Sequence, residues 1–346
     1  MNIFSKRIII IAFFGMAFSP ALFAQYYNNP ALQEVIAPDA RAAGMADMGV
    51  ATSPDVFSQH WNLAKYAFSK DTGAVGLSYT PWALRINQFS SPLFYLAGFY
   101  KIGQQAISAS VRYLSDGNAT VRDAPENADG SLVRARYSFD LGYSHTWGKY
   151  ISLGLALRYI ASDFNSENAA VNGLSNTGAL AGDIGFYFRY PSKKTNEFAL
   201  GLSLKNMGMK VTEGSTKRYL PMAMNIGFRY SWLLLPQHQL AIGLDINKPL
   251  VPKDQTKTVF SGFFAAFGNN IREWGVSGAL EYSFMERFFA RAGYHLGDKD
   301  YALGSYFSAG LGAKWYQFSL DASYLMSTHA NEALTNTVRI GIQYAF

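Results

Sequence analysis

The 346-residue chain has 30 Lys+Arg against 24 Asp+Glu, a net +6 spread along its length, so its charge gives no reason to expect nucleic acid as a partner. With no cysteine it can hold no disulfide, thiolate metal site or lipoprotein anchor. Charged residues make up 16% of the chain, below the roughly one quarter usual in soluble domains, while aromatics are also 16% and Gly numbers 31, which suits a wall facing lipid better than two soluble domains.

Lys6 and Arg7 precede an uncharged apolar run from Ile8 to Phe18, and Ser19-Pro20-Ala21-Leu22-Phe23-Ala24 leads to Gln25. This predicts a signal peptide over 1–24, cleaved after Ala24, although Leu22 is larger than the residue usual three positions before a cut. The run is too short to span a bilayer comfortably. Residues 25–73 are mostly small and mixed in character. Within them, Ala37 to Gly49 predicts a short helix capped near Asp39. The segment fits a plug inside a barrel or a periplasmic cap; an ordinary N-terminal arm is the plainer reading, and the plug is the one favoured.

From 74 to 346 the pattern is period two, the mark of strands with one apolar face. Tyr137, Phe139, Leu141 and Tyr143 alternate with Ser138, Asp140, Gly142 and Ser144; Leu240, Ile242, Leu244 and Ile246 alternate with Ala241, Gly243, Asp245 and Asn247. No apolar run after the signal reaches the ~18 residues of a membrane helix. Fourteen segments are predicted, near 74–80, 92–102, 104–115, 134–147, 149–162, 179–190, 196–206, 221–232, 238–248, 273–284, 286–297, 304–316, 317–327 and 335–346. Many reach the length needed to cross a bilayer at a tilt, aromatics gather at their ends, and short connections alternate with mostly longer ones. The expectation is an all-β, antiparallel transmembrane barrel of about fourteen strands with both ends in the periplasm. The last strand alternates to Phe346, which resembles a signal read by barrel-assembly machinery.

The predicted inward face carries Arg112, Arg136, Arg158, Arg189, Lys205, Arg229, Arg291, Lys314 and Arg339, with Asp140, Asp183, Asp245, Glu281 and Asp321. Turning charge inward avoids a cost of about 2–4 kcal/mol for Arg or Lys facing lipid at the midplane. An ion-selective channel and a lumen filled by charge pairs both fit; interleaved Gly, Ser and Ala predict a narrow interior and favour the second. The five histidines lie in different segments without metal-ligand spacing, and no nucleophile elbow or phosphate loop occurs, so neither catalysis nor a cofactor is expected. Loop 248–272 contains Val259-Phe260-Ser261-Gly262-Phe263-Phe264-Ala265-Ala266-Phe267, an apolar run that the topology places outside the membrane. It is either a contact for a partner or lipid, with Phe260, Phe263, Phe264 and Phe267 as contact residues, or a strand extending above the membrane.

Ile36-Ala37-Pro38-Asp39-Ala40-Arg41-Ala42-Ala43-Gly44-Met45, Gly49-Val50-Ala51-Thr52-Ser53-Pro54-Asp55, Trp61-Asn62-Leu63-Ala64-Lys65 and Leu77-Ser78-Tyr79-Thr80-Pro81-Trp82 together resemble the N-terminal signature of the PorV family. Asp245-Ile246-Asn247-Lys248-Pro249-Leu250-Val251-Pro252 is similar to a further stretch of it, although the family usually has Pro where Leu63 stands and Leu where Pro249 stands. The resemblance implies a FadL-like outer-membrane barrel with an N-terminal segment in its lumen. It also implies a role in type IX secretion in Bacteroidetes: accepting cargo through its C-terminal domain from an SprA/Sov-type translocon and passing it to a PorU-type sortase. A link to lipid A deacylation is attached to the same family. A FadL-like transporter of hydrophobic small molecules is the alternative.

Overall fold

The computed structural model describes residues 31–82, 91–119, 132–164, 176–192, 196–213, 216–252, 254, 256–269, 271–298, 304–328 and 336–346. The expected signal peptide, 1–24, lies outside the described residues.

Fourteen antiparallel strands close into a barrel. They are β1 (Gly73–Trp82), β2 (Ser91–Ile102), β3 (Gln105–Ala119), β4 (Leu132–Trp147), β5 (Ile151–Phe164), β6 (Thr177–Ser192) and β7 (Asn196–Gly208), then β10 (Ala223–Leu235), β11 (His238–Pro249), β12 (Gly275–Phe284), β13 (Phe288–Leu296), β14 (Tyr306–Trp315), β15 (Phe318–Ser327) and β16 (Thr337–Ala345). A small hairpin of β8 (Val211–Glu213) and β9 (Thr216–Arg218) stands between β7 and β10, which pair with each other directly. β16 returns to pair with β1. The expected strands are therefore all present, with ends shifted by a few residues.

Alternation produces the wall. Along β11, Ile242 faces out at 45% exposure, while Ala241 and Asp245 face in at 4% and 7%. Residues directly opposite in an antiparallel pair share a face, so the apolar set continues from strand to strand. Two aromatic belts frame it, as at the edges of a bilayer. At the short-turn end Tyr150 and Tyr190 meet at 5.4 Å and Phe318 and Tyr344 at 5.0 Å. At the long-loop end Tyr79 meets Phe94 at 5.1 Å and Tyr294 meets Phe307 at 4.6 Å. Several tight turns use left-handed backbone, which matches strand twist. Gly103 has φ +59°, Met285 and Glu286 have φ 56° and 55°, and Arg287 N donates to Phe284 O at 3.0 Å.

Residues 31–72 run inside the ring as short helices, Leu32–Val35, Ala40–Ala43 and Ser58–Trp61, and a 3-10 turn, Leu63–Phe68. Asp39 caps the second, accepting from Ala42 N at 2.7 Å. Bonds to inward side chains all round the wall hold the segment. Ser78 Oγ donates to Pro38 O at 2.7 Å, Ser108 Oγ to Gln59 Oε1 at 2.6 Å, Ser152 Oγ to Ala64 O at 2.7 Å and Ser277 Oγ to Ala46 O at 2.7 Å, while Ala46 N donates to Ser308 Oγ at 2.7 Å. The inward Gly and Ser positions thus make room for this chain. From sequence these small residues predict a narrow bore; in the structure the segment 31–72 occupies the space they leave.

Candidate functional site

The lumen's charges join the wall to the internal segment. Arg158 on β5 is fully buried; it bonds Asp140 on β4 and Asn206 on β7, meets Asp183 on β6 at 2.9 Å, and reaches Glu34 of the segment at 3.1 Å. Arg112 on β3 meets the same Glu34 oxygen at 3.0 Å, donates to His60 Nδ1 at 2.7 Å and lies over the Tyr95 ring at 4.8 Å. Ser110 Oγ donates to Asp140 at 2.6 Å and Asn206 N to Asp183 at 2.7 Å, so the carboxylates have partners beyond the arginines. His60 Nδ1 accepts from Arg112, and the Lys205 ammonium stands 3.4 Å from the same ring nitrogen.

Three further junctions complete the attachment. Arg41 of the segment meets Asp55 at 2.8 Å and Glu281 on β12 at 3.2 Å, and Arg291 on β13 bridges Glu281 at 2.8 Å and Asp321 on β15 at 2.6 Å. Arg229 on β10 stands 3.6 Å from Glu281. Arg339 on β16 meets Asp47 at 2.6 Å, whose other oxygen accepts from Tyr306 at 2.7 Å. Asp245 on β11 accepts from the amides of Gly49 and Val50 at 2.7 and 2.8 Å. Toward the short-turn end a cavity of about 1010 Å³ remains, bordered by Arg41, Asp55, Arg189, Glu197, Arg229 and Lys314 among others.

Of the residues named from sequence, Arg112, Asp140, Arg158 and Asp183 form one cluster, while Arg229, Asp245 and Arg339 lie in separate junctions. Their counterparts Glu34, Arg41, Asp47 and Asp55 were missed as a set. The available signal was charge recurring in an otherwise small-residue segment. Among the described residues no group of three or more His, Asp or Glu could hold a metal ion, and no helix is long and apolar enough to cross a membrane.

The second feature lies at the long-loop end. Val259–Ala266 is a helix, not a strand, and Thr258 caps it by accepting from Ser261 N. Phe260, Phe264 and Phe267 are 76%, 57% and 43% exposed, whereas Phe263 packs against Tyr219, Met222, Leu250 and Ala266. Beneath the loop, Lys248 is fully buried and pairs with Glu273 at 3.1 Å. Its register with Met224 puts it on the outward face of β11, a parity otherwise filled by Leu240, Ile242, Leu244 and Ile246. A lysine in that row was the overlooked sign that the loop folds down over the wall. In Lys248→Met the Glu273 carboxylate keeps its burial and loses its cation, at a cost of about 1–3 kcal/mol. Added protease is then expected to cleave within 250–274 faster than in wild type; an unchanged rate would show that the pair does not hold the loop.

A closed fourteen-stranded barrel with an apolar outer belt, aromatic girdles and a charged interior is an outer-membrane barrel protein. The chain belongs to the family described as type IX secretion system protein PorV, whose model matches residues 15–256. Among curated proteins the sequence has no match. Solved structures share the fold. The Pseudomonas putida toluene transporter TodX aligns with TM-score 0.57 at 9% identity over 90% of this chain and 98% of its own. The Ralstonia pickettii toluene transporter TbuX gives 0.54 at 10% over 92% and 100%, and the monoaromatic hydrocarbon channel CymD 0.54 at 11% over 90% and 98%. At such identities the likeness is one of fold.

Proposed function

We propose that this PorV-family barrel is a non-enzymatic carrier of the type IX secretion system. In this reading its extracellular loops bind the C-terminal domain of secreted cargo, which it receives from an SprA/Sov-type translocon and delivers to a PorU-type sortase in the attachment complex. The observation that carries the reading is how the lumen is used. Arginines and carboxylates that would line a pore are engaged with residues 31–72, as in the Arg158–Glu34 and Arg339–Asp47 pairs. That favours work done on the outer surface over passage through the wall. Phe260, Phe264 and Phe267, with Phe263 beneath them, are in this scheme the lateral contact of the barrel's outer wall with the translocon.

Affinity capture of the tagged barrel from native membranes, followed by mass spectrometry, is expected to recover a giant barrel translocon or a surface protease. Deleting 259–267 should impair that recovery while the barrel still folds; undiminished recovery would remove the helix from the interface.

The barrel's likeness to hydrocarbon transporters favours one rival, passage of a hydrophobic small molecule. Bound lipid or aromatic ligand in the purified protein would support it, but the inward Arg, Asp and Ser side chains offer such a molecule little apolar lining. A link to lipid A deacylation is tested by comparing lipid A with and without the protein.

A further inference from the structure

The outer aromatic girdle has a gap. At the long-loop end, outward aromatics occur on β1 to β5 (Tyr79, Phe94, Tyr113, Tyr137, Tyr159) and on β13 to β15 (Tyr294, Phe307, Tyr324). Between these arcs β6, β7, β10, β11 and β12 present Leu180, Leu204, Met224, Ile246 and Val276 at the corresponding end, with Lys248 above them, whereas on the other side the single strand β16 presents Val338. These strands are consecutive in the ring. The helix Val259–Ala266 lies over that arc: Val259 and Phe263 share a cluster with outward Leu204, Met207 and Met224. Gly262 allows the close seating, since a Cβ there would stand 2.7 Å from Tyr219 Oη and 2.9 Å from Pro252 Cγ.

We infer that this helix lies in the outer-leaflet interface and supplies the missing arc of the girdle, with the acyl chains of the outer leaflet as its partner. Positions 259, 262, 263 and 266 face the wall, and 260, 264 and 267 face away from it, as the spacing of a helix requires. Both faces are apolar apart from Ser261 in the first turn, whose hydroxyl donates to Thr258 O. A helix in water keeps a polar face, whereas one apolar all round is buried in protein or in membrane. The outward phenylalanines, with Ile271 at 79% exposure, continue the surface begun by Ile226 and Leu244, which already face lipid. Lys257, exposed beside the N-terminal cap, and Lys210, whose ammonium donates to Lys257 O at 2.6 Å, put positive charge at one end of the helix, where lipid phosphates lie.

The inference does not depend on any protein partner, and the purified barrel tests it. Because the chain has no cysteine, Phe264→Cys gives a single nitroxide-labelling site. Leu202→Cys on the wall and Asp254→Cys, exposed in the loop before the helix, serve as the lipid and water references. In phosphatidylcholine–phosphatidylglycerol vesicles, the label at 264 is expected to collide with oxygen as the 202 label does and to lose collisions with a water-soluble nickel complex. Collision with nickel at the level of the 254 label would overturn the proposal and leave the phenylalanines as a water-facing protein contact. Phe260→Cys repeats the measurement should the first variant not fold.

Discussion

Arg158→Met is expected to destabilise the barrel by about 3–5 kcal/mol, the usual cost of removing one member of a buried charge cluster. The substitution keeps the aliphatic volume and removes the cation shared by Asp140, Asp183 and Glu34. Those carboxylates remain buried, at 0%, 4% and 3% exposure, and water cannot replace the guanidinium without opening the segment from the wall. Lysine is no substitute, because three donors on a single nitrogen cannot span the four partners that the guanidinium reaches from three nitrogens. Urea titration of the protein in phosphatidylcholine vesicles, followed by Trp fluorescence, measures the change. Adding Asp140→Asn to Arg158→Met should restore part of the loss, since the second change removes one uncompensated charge. Equal midpoints for wild type and Arg158→Met would show that the cluster contributes no stability.

Gly201→Val is expected to unseat the internal segment and convert a poorly conducting barrel into one with discrete ion-conducting steps. A Cβ at 201 would lie 2.3 Å from Val50 O and 2.9 Å from Val50 C. Both are backbone atoms, so relief requires moving the chain and not merely turning a side chain. The displaced stretch carries the amides of Gly49 and Val50, which Asp245 accepts, and Gly49 O, to which Lys65 donates at 2.8 Å. Each buried group left unpaired costs about 1–3 kcal/mol. Gly341→Ala is the matched control: its Cβ would come no nearer than 3.5 Å to Phe57 and 3.6 Å to Ser78 Oγ, ordinary contact, so it should conduct as wild type does. Planar-bilayer recordings decide the matter. Identical traces from Gly201→Val and wild type would mean that the segment does not govern conductance.

The barrel was legible because lipid and a packed lumen impose opposite demands on alternate residues, and the chain records this as period two. Where the demand lapses, so does the record. β3 runs on to Ala119 and β4 begins at Leu132, beyond the predicted 104–115 and 134–147, with a register shift between Ser115 and Asn118. Above the bilayer no apolar face is needed, and alternation no longer marks the strand. The inward charges were legible individually from their parity, but not their pairings: Arg339 finds Asp47 across 292 positions, and nothing local announces it. The phenylalanine helix was ambiguous for a different reason. A run apolar on every side shows neither a period of two nor one of 3.6. Only the capping Thr258 and the tertiary contacts distinguish it.

The seam between β1 and β16 has a consequence for the order of assembly. Gly73 and Phe346 exchange two backbone bonds of 2.9 Å, and Ala74 pairs with Ala345. Every other pairing in the ring joins strands consecutive along the chain, apart from the small hairpin set aside between β7 and β10. Those hairpins close short loops, whereas the seam closes a loop that runs from Gly73 to Phe346. The added cost is small, since each doubling of a closed loop adds only about 0.6 kcal/mol. Residues 31–72 are joined directly to β1, one side of that seam. The ring is therefore expected to close around an occupant already tethered at its first strand. The inner surface of the wall can use that occupant as a mould, and nothing has to be threaded into a finished cylinder.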